Sequence, residues 1–378
     1  MEKSHEAGLP VHLSKAPQFK SYQLNNFRDI PQLERLSEQQ KFDIEVVGNV
    51  LPFKVNNYVI DHLIDWDSAP DDPIFALTFP QKDMLCTEHY DEMAALLKGG
   101  ADKAEIRDAA NRIRMQLNPH PAGQADHNVP LFEGEPLRGV QHKYRQTVLF
   151  FPSQSQTCHA YCTFCFRWPQ FIGLSDIKFA SREVEKLVSY LRQNPAVTDI
   201  LFTGGDPMIM SAKNLAGYIE PLLQADLPNL VNIRIGTKVL AYWPHKFVDD
   251  SDAEEMLALF RKVTGSGRQL ALMAHFNHPR ELEGEVVRQA IRNLREAGCD
   301  PHPVAGDAAH QRRPGALGED VAGAGQARLH TLLHVPGARY RRHHHARAGD
   351  CHGDPATERQ PGPDRNCQGD PQAPARRI

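Results

Sequence analysis

The chain has 378 residues, with 43 Lys and Arg against 47 Asp and Glu, and a formal net charge of -4. This length allows one large domain or two ordinary ones, and the near balance of charge gives no sign of a nucleic acid or membrane partner. No run of about 18 apolar residues could span a bilayer, and no signal peptide is recognisable, so we expect a cytoplasmic protein.

Residues 1–140 are predicted to form a helical amino-terminal region. Helical apolar spacing occurs in "IPQLERLSEQQKFDIEVVGNV" and "DEMAALLKGGADKAEIRDAANRIRMQL". The proline-rich stretch between them, "SAPDDPIFALTFPQ", is predicted to be extended.

Residues 141–298 alternate short apolar strands with amphipathic helices. The predicted strands are "TVLFFP", "TDILFTGGD", "LVNIRIGT" and "QLALMAHF", and each is followed by a helical pattern. Four such βα units predict an α/β fold with a parallel sheet. The cysteine-rich stretch, "TGGDP" and "HFNHP" each follow a strand, so we expect them to meet at the rim formed by the carboxyl ends of the strands.

The stretch "QTCHAYCTFCF" holds three of the seven cysteines, Cys158, Cys162 and Cys165. Clustered thiols in a reducing compartment are more often metal ligands or catalytic groups than disulfides. Three thiolates can bind three irons of a [4Fe-4S] cluster and leave the fourth iron open to a small molecule. The alternatives are a zinc site completed by His159 or a distant residue, and three unrelated buried thiols.

The cysteine spacing, with the aromatic Phe164 before the last cysteine, resembles the signature of radical S-adenosylmethionine enzymes. The resemblance implies that the open iron is chelated by S-adenosylmethionine. It also implies that an electron from the cluster cleaves this cofactor to a 5′-deoxyadenosyl radical, which abstracts a hydrogen from the substrate.

The stretch "LFTGGDP" resembles the motif of that superfamily that holds the methionine amino group. Gly204 and Gly205 would allow close backbone approach to a ligand, and Asp206 offers a carboxylate. A plain tight turn is the alternative.

Further stretches narrow the resemblance to the lysine 2,3-aminomutase family. They are "DDPIFALTFP", "GVQHKYRQTVLF", "GGDPMIMS", "IRIGT" and "LMAHFNHPREL", within residues 65–298. The family implies an isomerase with a partial, open βα barrel that shifts an amino group on lysine or a similar small amino acid. It also implies pyridoxal phosphate as a further cofactor and an electron donor such as flavodoxin or ferredoxin, and it leaves a homo-oligomer open.

The resemblance also suggests roles for single residues. Arg167 stands where the family places an arginine that pairs with the substrate carboxylate, whereas a lone loop arginine is otherwise a solvated charge. Tyr144 matches a tyrosine near pyridoxal phosphate, but Thr147 replaces the arginine that meets its phosphate, and no lysine follows Lys262 to form the aldimine. The residues that match "HFNH" are either ligand contacts or caps of a strand end: His275, Asn277 and His278.

The composition changes after Gly298, and residues 299–378 contain no Lys, Met, Phe or Trp. Such a segment has too little apolar surface to offset its ordering entropy, so we expect disorder there and an exposed edge on the strand "QLALMAHF". Synonymous codons also allow a frame shifted by one base to encode family-like segments in this region. Two further hypotheses are therefore an inactive product of a frameshifted gene and a non-catalytic structural metal-binding protein.

Overall fold

The computed structural model describes residues 18–117, 127–172 and 179–305. The strands in these ranges are Ser21–Gln23 (β1), Lys54–Asn56 (β2), Leu131–Phe132 (β3), Glu135–Pro136 (β4), Val140–Tyr144 (β5), Thr147–Phe150 (β6), Asp199–Phe202 (β7), Asn232–Thr237 (β8), Gln269–Phe276 (β9) and Asp300–Ala305 (β10). A central sheet has the strand order β10-β9-β8-β7-β6-β5. β5 and β6 pair antiparallel, and β6 to β10 are parallel.

The α-helices of the described ranges connect these strands and build the amino-terminal region. They are Glu38–Val50 (α1), Pro73–Thr78 (α2), Thr87–Lys98 (α3), Lys103–Leu117 (α4), Val184–Gln193 (α5), Ala212–Gln224 (α6), Val239–Tyr242 (α7), Ala253–Gly265 (α8) and Glu285–Glu296 (α9). None of these helices has the length and apolarity that crossing a bilayer requires.

The parallel strands follow one another in the sheet in chain order. Right-handed crossovers between sequential neighbours place all their helices on one face of the sheet. Burial agrees with this, because Ile233 and Ile235 of β8 are fully buried while Arg234 and Gly236, which alternate with them, are only half-buried. The predicted α/β fold with a mostly parallel sheet is confirmed, and the curvature of an open barrel stays a prediction.

The amino-terminal region is not a separate body. Phe53 and Phe79 belong to the same hydrophobic core as Phe150 of β6, while a second, smaller core lies between α1, α3 and α4. The prediction that "SAPDDPIFALTFPQ" is extended was wrong for α2. Asp72 caps this helix, since its Oδ1 accepts hydrogen bonds from the backbone N–H groups of the second and third helical residues at 2.9 Å.

The sheet continues past residue 298, where the sequence predicted its last strand to be exposed. β10 pairs with β9 along its whole length, so the prediction of an open edge on β9 was wrong. Pro301 and Pro303 lie two residues apart, so their backbone nitrogens point to the same edge of β10. Proline has no N–H to donate to β9, so this is the outer edge, away from β9. Prolines that face outward on an edge strand block further pairing. Residues 306–378, the remainder of the predicted disordered tail, lie outside the described residues.

Candidate functional site

Four neighbouring parallel strands carry the segments of the candidate site at their carboxyl ends. The cysteine loop (156–166) follows β6, the glycine turn (203–207) follows β7, Lys238 follows β8, and "HFNHP" ends β9. The Gly205 N–H donates to the Ser155 carbonyl at 2.9 Å, and the Lys238 ammonium donates to the His275 carbonyl at 3.3 Å. The rim predicted from the sequence is therefore present.

The glycine turn packs directly on the start of the cysteine loop. A Cβ added to Gly204 would lie 2.5 Å from Ser155 Oγ, and one added to Gly205 would lie 2.4 Å from the Thr157 carbonyl oxygen. The backbone N–H of Asp206 also donates to the Thr157 carbonyl at 2.8 Å. The glycines thus allow the turn to approach the loop that carries the thiols, while their predicted approach to a ligand stays a prediction.

Asp206 joins the glycine turn to the end of β8. Its carboxylate accepts hydrogen bonds from the Thr237 hydroxyl at 2.6 Å and from the Lys238 backbone N–H at 2.9 Å. Burial raises the pKa of Asp206 to about 6, although these hydrogen bonds oppose the shift. The imidazole of His159, next to Cys158, lies 3.9 Å from this carboxylate.

The three cysteines of the loop are half-buried and lie close enough to influence one another. Burial raises the pKa of Cys158 well above its usual value, and the negative charges of Asp206, Cys165 and Cys162 add to the increase. Burial and the charge of Cys162 raise the pKa of Cys165 to about 11. These thiols are poor thiolates by themselves, so a bound cation would be needed to stabilise their charged form.

Two cationic side chains lie beside the cysteine loop. The ammonium of Lys54, which is buried, donates to the Thr157 hydroxyl at 3.3 Å. The guanidinium of Arg167 stacks on the Phe151 ring, 4.4 Å from its centroid, and its buried Nε has no hydrogen-bond partner in the described ranges. Burial lowers the pKa of both cations, that of Arg167 to about 10, while Cys158 opposes the shift in each case. The site thus carries positive charge next to its thiols.

A buried layer of side chains supports the loop from the side of β8 and β9. The Tyr242 hydroxyl lies 3.3 Å from Cys162 Sγ. The Lys238 ammonium lies 4.4 Å from the centroid of the Tyr242 ring and donates to the Glu281 carboxylate at 2.7 Å. Glu281 is fully buried and also accepts from the Asn277 backbone N–H at 2.6 Å.

The amino-terminal region holds the cysteine loop in place. Asn56 of β2 is fully buried, and its amide donates to the carbonyls of His159 at 3.3 Å and Tyr242 at 2.9 Å. The Thr163 backbone N–H donates to the carbonyl of Leu77, in α2, at 2.8 Å. Residues 162–166 also line a cleft of about 1550 Å³, together with residues of α1, α2 and the start of α3.

Some of the remaining predicted residues lie beside the cysteine loop, and Tyr144 lies away from it. The ring of Phe164 meets the His275 ring edge to face, with centroids 6.2 Å apart. His278 caps the short turn that follows it, since its Nδ1 accepts from the Arg280 N–H at 3.3 Å, which favours the capping alternative for this residue. Tyr144 is the exposed last residue of β5 and pairs with Thr147, the first residue of β6. It therefore lies at the opposite end of β6 from the cysteine loop, and the structure does not bring it to the site.

Sequence reasoning missed Lys54, Lys238, Tyr242 and Glu281. Lys54 is about a hundred residues from the cysteines it adjoins, and its strand carries no motif. Lys238 and Tyr242 come after "IRIGT" and lie outside that segment, whereas Glu281 lies within the family-like segment "LMAHFNHPREL", so only Glu281 stood in a segment with a signal. Neither segment indicates that Lys238 and Glu281 form an ion pair.

Among the described residues, no three His, Cys, Asp or Glu side chains converge on the position of a single metal ion. Three half-buried thiols on one loop beside two cations are a donor set that fits a [4Fe-4S] cluster with one iron left open.

No protein-family model matches the chain. A provisionally named L-lysine 2,3-aminomutase of Aquifex aeolicus is 30% identical over 270 residues, which make up 71% of this chain and 60% of that protein. The L-lysine 2,3-aminomutase of Clostridium subterminale is 30% identical over 217 residues, 57% of this chain and 47% of that one. The L-lysine 2,3-aminomutase of Methanococcus maripaludis is 23% identical over 281 residues, 72% and 53% of the two chains.

The fold and the site define an α/β protein with a candidate site that contains three thiols, located at the carboxyl ends of its parallel strands. The comparisons confirm the family resemblance: this chain is a relative of the lysine 2,3-aminomutases. The chain spans 47 to 60% of the length of these three relatives.

Proposed function

We propose that this chain is a radical S-adenosylmethionine enzyme of the aminomutase type, in which Cys158, Cys162 and Cys165 hold a [4Fe-4S] cluster. The observation that carries the proposal is the set of three half-buried thiols on one loop at the carboxyl end of β6, beside the cations of Lys54 and Arg167. Likeness to proteins named L-lysine 2,3-aminomutase supports it.

With S-adenosylmethionine bound, the cluster would supply the radical that starts an amino-group shift on lysine or a similar amino acid. The chain's own residues would bind and orient the substrate and keep water out of the site. The guanidinium of Arg167 is suited to a carboxylate of the substrate, because its Nε has no protein partner in the described ranges and its plane is fixed on Phe151. The paired rings of Phe164 and His275 would form an aromatic wall of the same site.

Pyridoxal phosphate is not assigned to the described residues, because they do not fit it. The Thr147 hydroxyl accepts from Arg234 at 3.4 Å, and this arginine is already paired with Asp199 at 2.6 Å. Tyr144 lies at the end of β6 away from the cysteine loop. We therefore assign the radical-generating half of an aminomutase site to this chain, and the family's pyridoxal phosphate remains an expectation from the resemblance.

We propose that a small redox protein such as flavodoxin or ferredoxin supplies the electron, and that the protein works in the cytoplasm. A reducing compartment keeps the loop cysteines as thiols, which is the form that accepts a cluster. The cleft beside residues 162–166 would give access to the loop from solvent.

Anaerobic reconstitution with iron and sulfide tests the cluster. We expect about four irons per chain and a broad charge-transfer absorption, and we expect Cys158→Ala, Cys162→Ala and Cys165→Ala each to lose most of this iron. Cys299→Ala removes a buried thiol outside the loop and should keep it. A colourless wild-type protein with one zinc would contradict the proposal and support a structural metal-binding protein.

As the alternative to an active enzyme, we propose that the sequence after about residue 298 is encoded by a shifted reading frame, so that the chain as written is an inactive product of an aminomutase-like gene. The abrupt loss of Lys, Met, Phe and Trp in residues 299–378 supports this. Sequencing the gene tests it: a single-base insertion or deletion near codon 299 is expected. If no such change restores a family-like frame, the proposal fails.

A further inference from the structure

Tyr242 is the one side chain outside the cysteine loop, among the described contacts, whose polar atom reaches a thiol of the loop. Its hydroxyl lies 3.3 Å from Cys162 Sγ, within hydrogen-bond distance for sulfur. The residue is the last of α7, directly after β8, and only 1% of it is exposed. Water therefore has little access to this contact, and the Tyr242 hydroxyl is the polar group that contacts the thiol.

Neighbouring groups fix the Tyr242 ring. The Lys238 ammonium lies 4.4 Å from the ring centroid, and Glu281 holds that ammonium at 2.7 Å. The Asn56 amide holds the Tyr242 carbonyl at 2.9 Å. A ring fixed by a cation–π contact and by its own backbone cannot turn its hydroxyl away from Cys162 without breaking these contacts.

The direction of the hydrogen bond follows from the chemistry of the pair. A cysteine that ligates iron is a thiolate and has no proton to give, so the hydroxyl must be the donor. A tyrosine hydroxyl carries its proton near neutral pH, so at 3.3 Å from Cys162 Sγ it can donate.

Donors to a ligating sulfur change the reduction potential of an iron-sulfur cluster. Reduction adds negative charge to the cluster and its sulfur ligands, so a hydroxyl donor stabilises the reduced form more than the oxidised form. The Lys238 cation behind the ring acts in the same direction, although its pairing with Glu281 reduces its effect.

We propose that Tyr242 is a positioning residue that donates a hydrogen bond to the Cys162 thiolate and thereby raises the reduction potential of the cluster. This inference rests on the proposed function, because it requires the cluster on Cys158, Cys162 and Cys165. It gives the aromatic residue after β8 a role that the cysteine spacing does not reveal.

Tyr242→Phe tests the inference, because it removes the hydroxyl and keeps the ring under Lys238. Reconstituted wild type and variant are titrated with reductant at controlled potential, and the reduced cluster is followed by electron paramagnetic resonance. We expect unchanged iron content and a potential more negative in the variant, with the ratio of reduced to oxidised cluster about tenfold lower at a fixed potential, or about 59 mV for one electron.

Tyr218→Phe is the matched control. It removes another buried hydroxyl, which bonds to Gln154 and to the Ser181 carbonyl instead of a cysteine. We expect it to leave the potential unchanged. An equal potential in Tyr242→Phe and wild type, with the cluster present in both, would overturn the inference and leave the proposed function standing, whereas a wild type without a cluster would overturn the proposed function itself.

A measurement on the wild type alone covers the case in which the variant does not fold. Electron–nuclear double resonance of the reduced cluster detects protons that exchange with deuterium near the sulfur ligands. We expect one strongly coupled proton, that of the Tyr242 hydroxyl, which exchanges slowly with deuterium because it is buried. A cluster with no such proton would contradict the hydrogen bond from Tyr242.

Discussion

At the scale of single residues, the spacing of Cys158, Cys162 and Cys165 predicted a site, and the structure adds the charges around it. Cysteines close in sequence must share a loop, so their proximity could be predicted. The contact of Lys54 with the loop and that of Tyr242 with Cys162 join segments about 80 to 100 residues apart, and only the packing of the chain creates them.

The pKa of His275 gives a prediction at this scale. Burial, and then the nearby Lys238, lower the pKa to about 4, so the folded protein keeps this imidazole neutral between pH 4 and 6.5, while the unfolded chain binds a proton there. Stability is therefore expected to fall as pH decreases through this window, by about 3 kcal/mol at most from this residue. We measure the free energy of unfolding in urea at pH 7 and pH 4.5. Between these pH values, His275→Gln should lose less of this free energy than wild type does.

His62→Gln is the control for this prediction, because His62 is exposed. We expect it to keep the pH dependence of wild type. Asp206 has a raised pKa and contributes in the opposite direction, so the comparison of variants, and not the pH profile of wild type alone, isolates His275. An equal loss in His275→Gln and wild type would contradict the buried, neutral imidazole.

At the scale of elements, the alternation of apolar runs and amphipathic patterns predicted β6 to β9 and the helices after them. The short helix α2 was not predicted, because several prolines in a short segment favour an extended conformation. Asp72 followed by Pro73 is in fact a helix start, since a capping carboxylate and a proline in the first turn both favour one. The binding of the cysteine loop to α2 and β2 could not be predicted, because it depends on long-range packing.

The contact between the glycine turn and the cysteine loop gives the prediction for this scale. A Cβ at Gly205 would lie 2.4 to 2.6 Å from backbone atoms of Thr157, which cannot move without shifting the loop. Gly205→Ala is therefore expected to cost about 2 kcal/mol or more in the free energy of unfolding and to reduce iron binding. Gly217→Ala, in α6, meets nothing within 4 Å and should be neutral or stabilising.

Urea unfolding and iron content after reconstitution check both glycine variants. Equal stability and iron content in the two variants would contradict the tight packing of the turn on the loop.

At the scale of the whole molecule, the order of the parallel strands was predictable from the chain, and the end of the sheet was not. A segment with proline at alternate positions has a low strand propensity, yet β10 pairs with β9 because its prolines all fall on one side. Within residues 18–305, as far as they are described, the sheet therefore ends in a strand that cannot easily accept a further neighbour.

Replacing the two prolines tests this edge. In a chain with Pro301→Thr and Pro303→Thr, new N–H donors face outward and β propensity rises, so we expect more self-association. Sedimentation velocity at increasing concentration would measure it. Pro195→Thr, at an exposed loop proline, is expected to remain as wild type, and unchanged behaviour of the double variant would contradict the protective role of the edge prolines.

The central claim is that three thiols hold a cluster with one iron left open, and the most direct measurement is electron paramagnetic resonance of the reduced, reconstituted protein with and without S-adenosylmethionine. The account predicts a [4Fe-4S] signal in wild type whose g values change when S-adenosylmethionine is added, because the cofactor binds the open iron. A signal that is identical with and without the cofactor would contradict it.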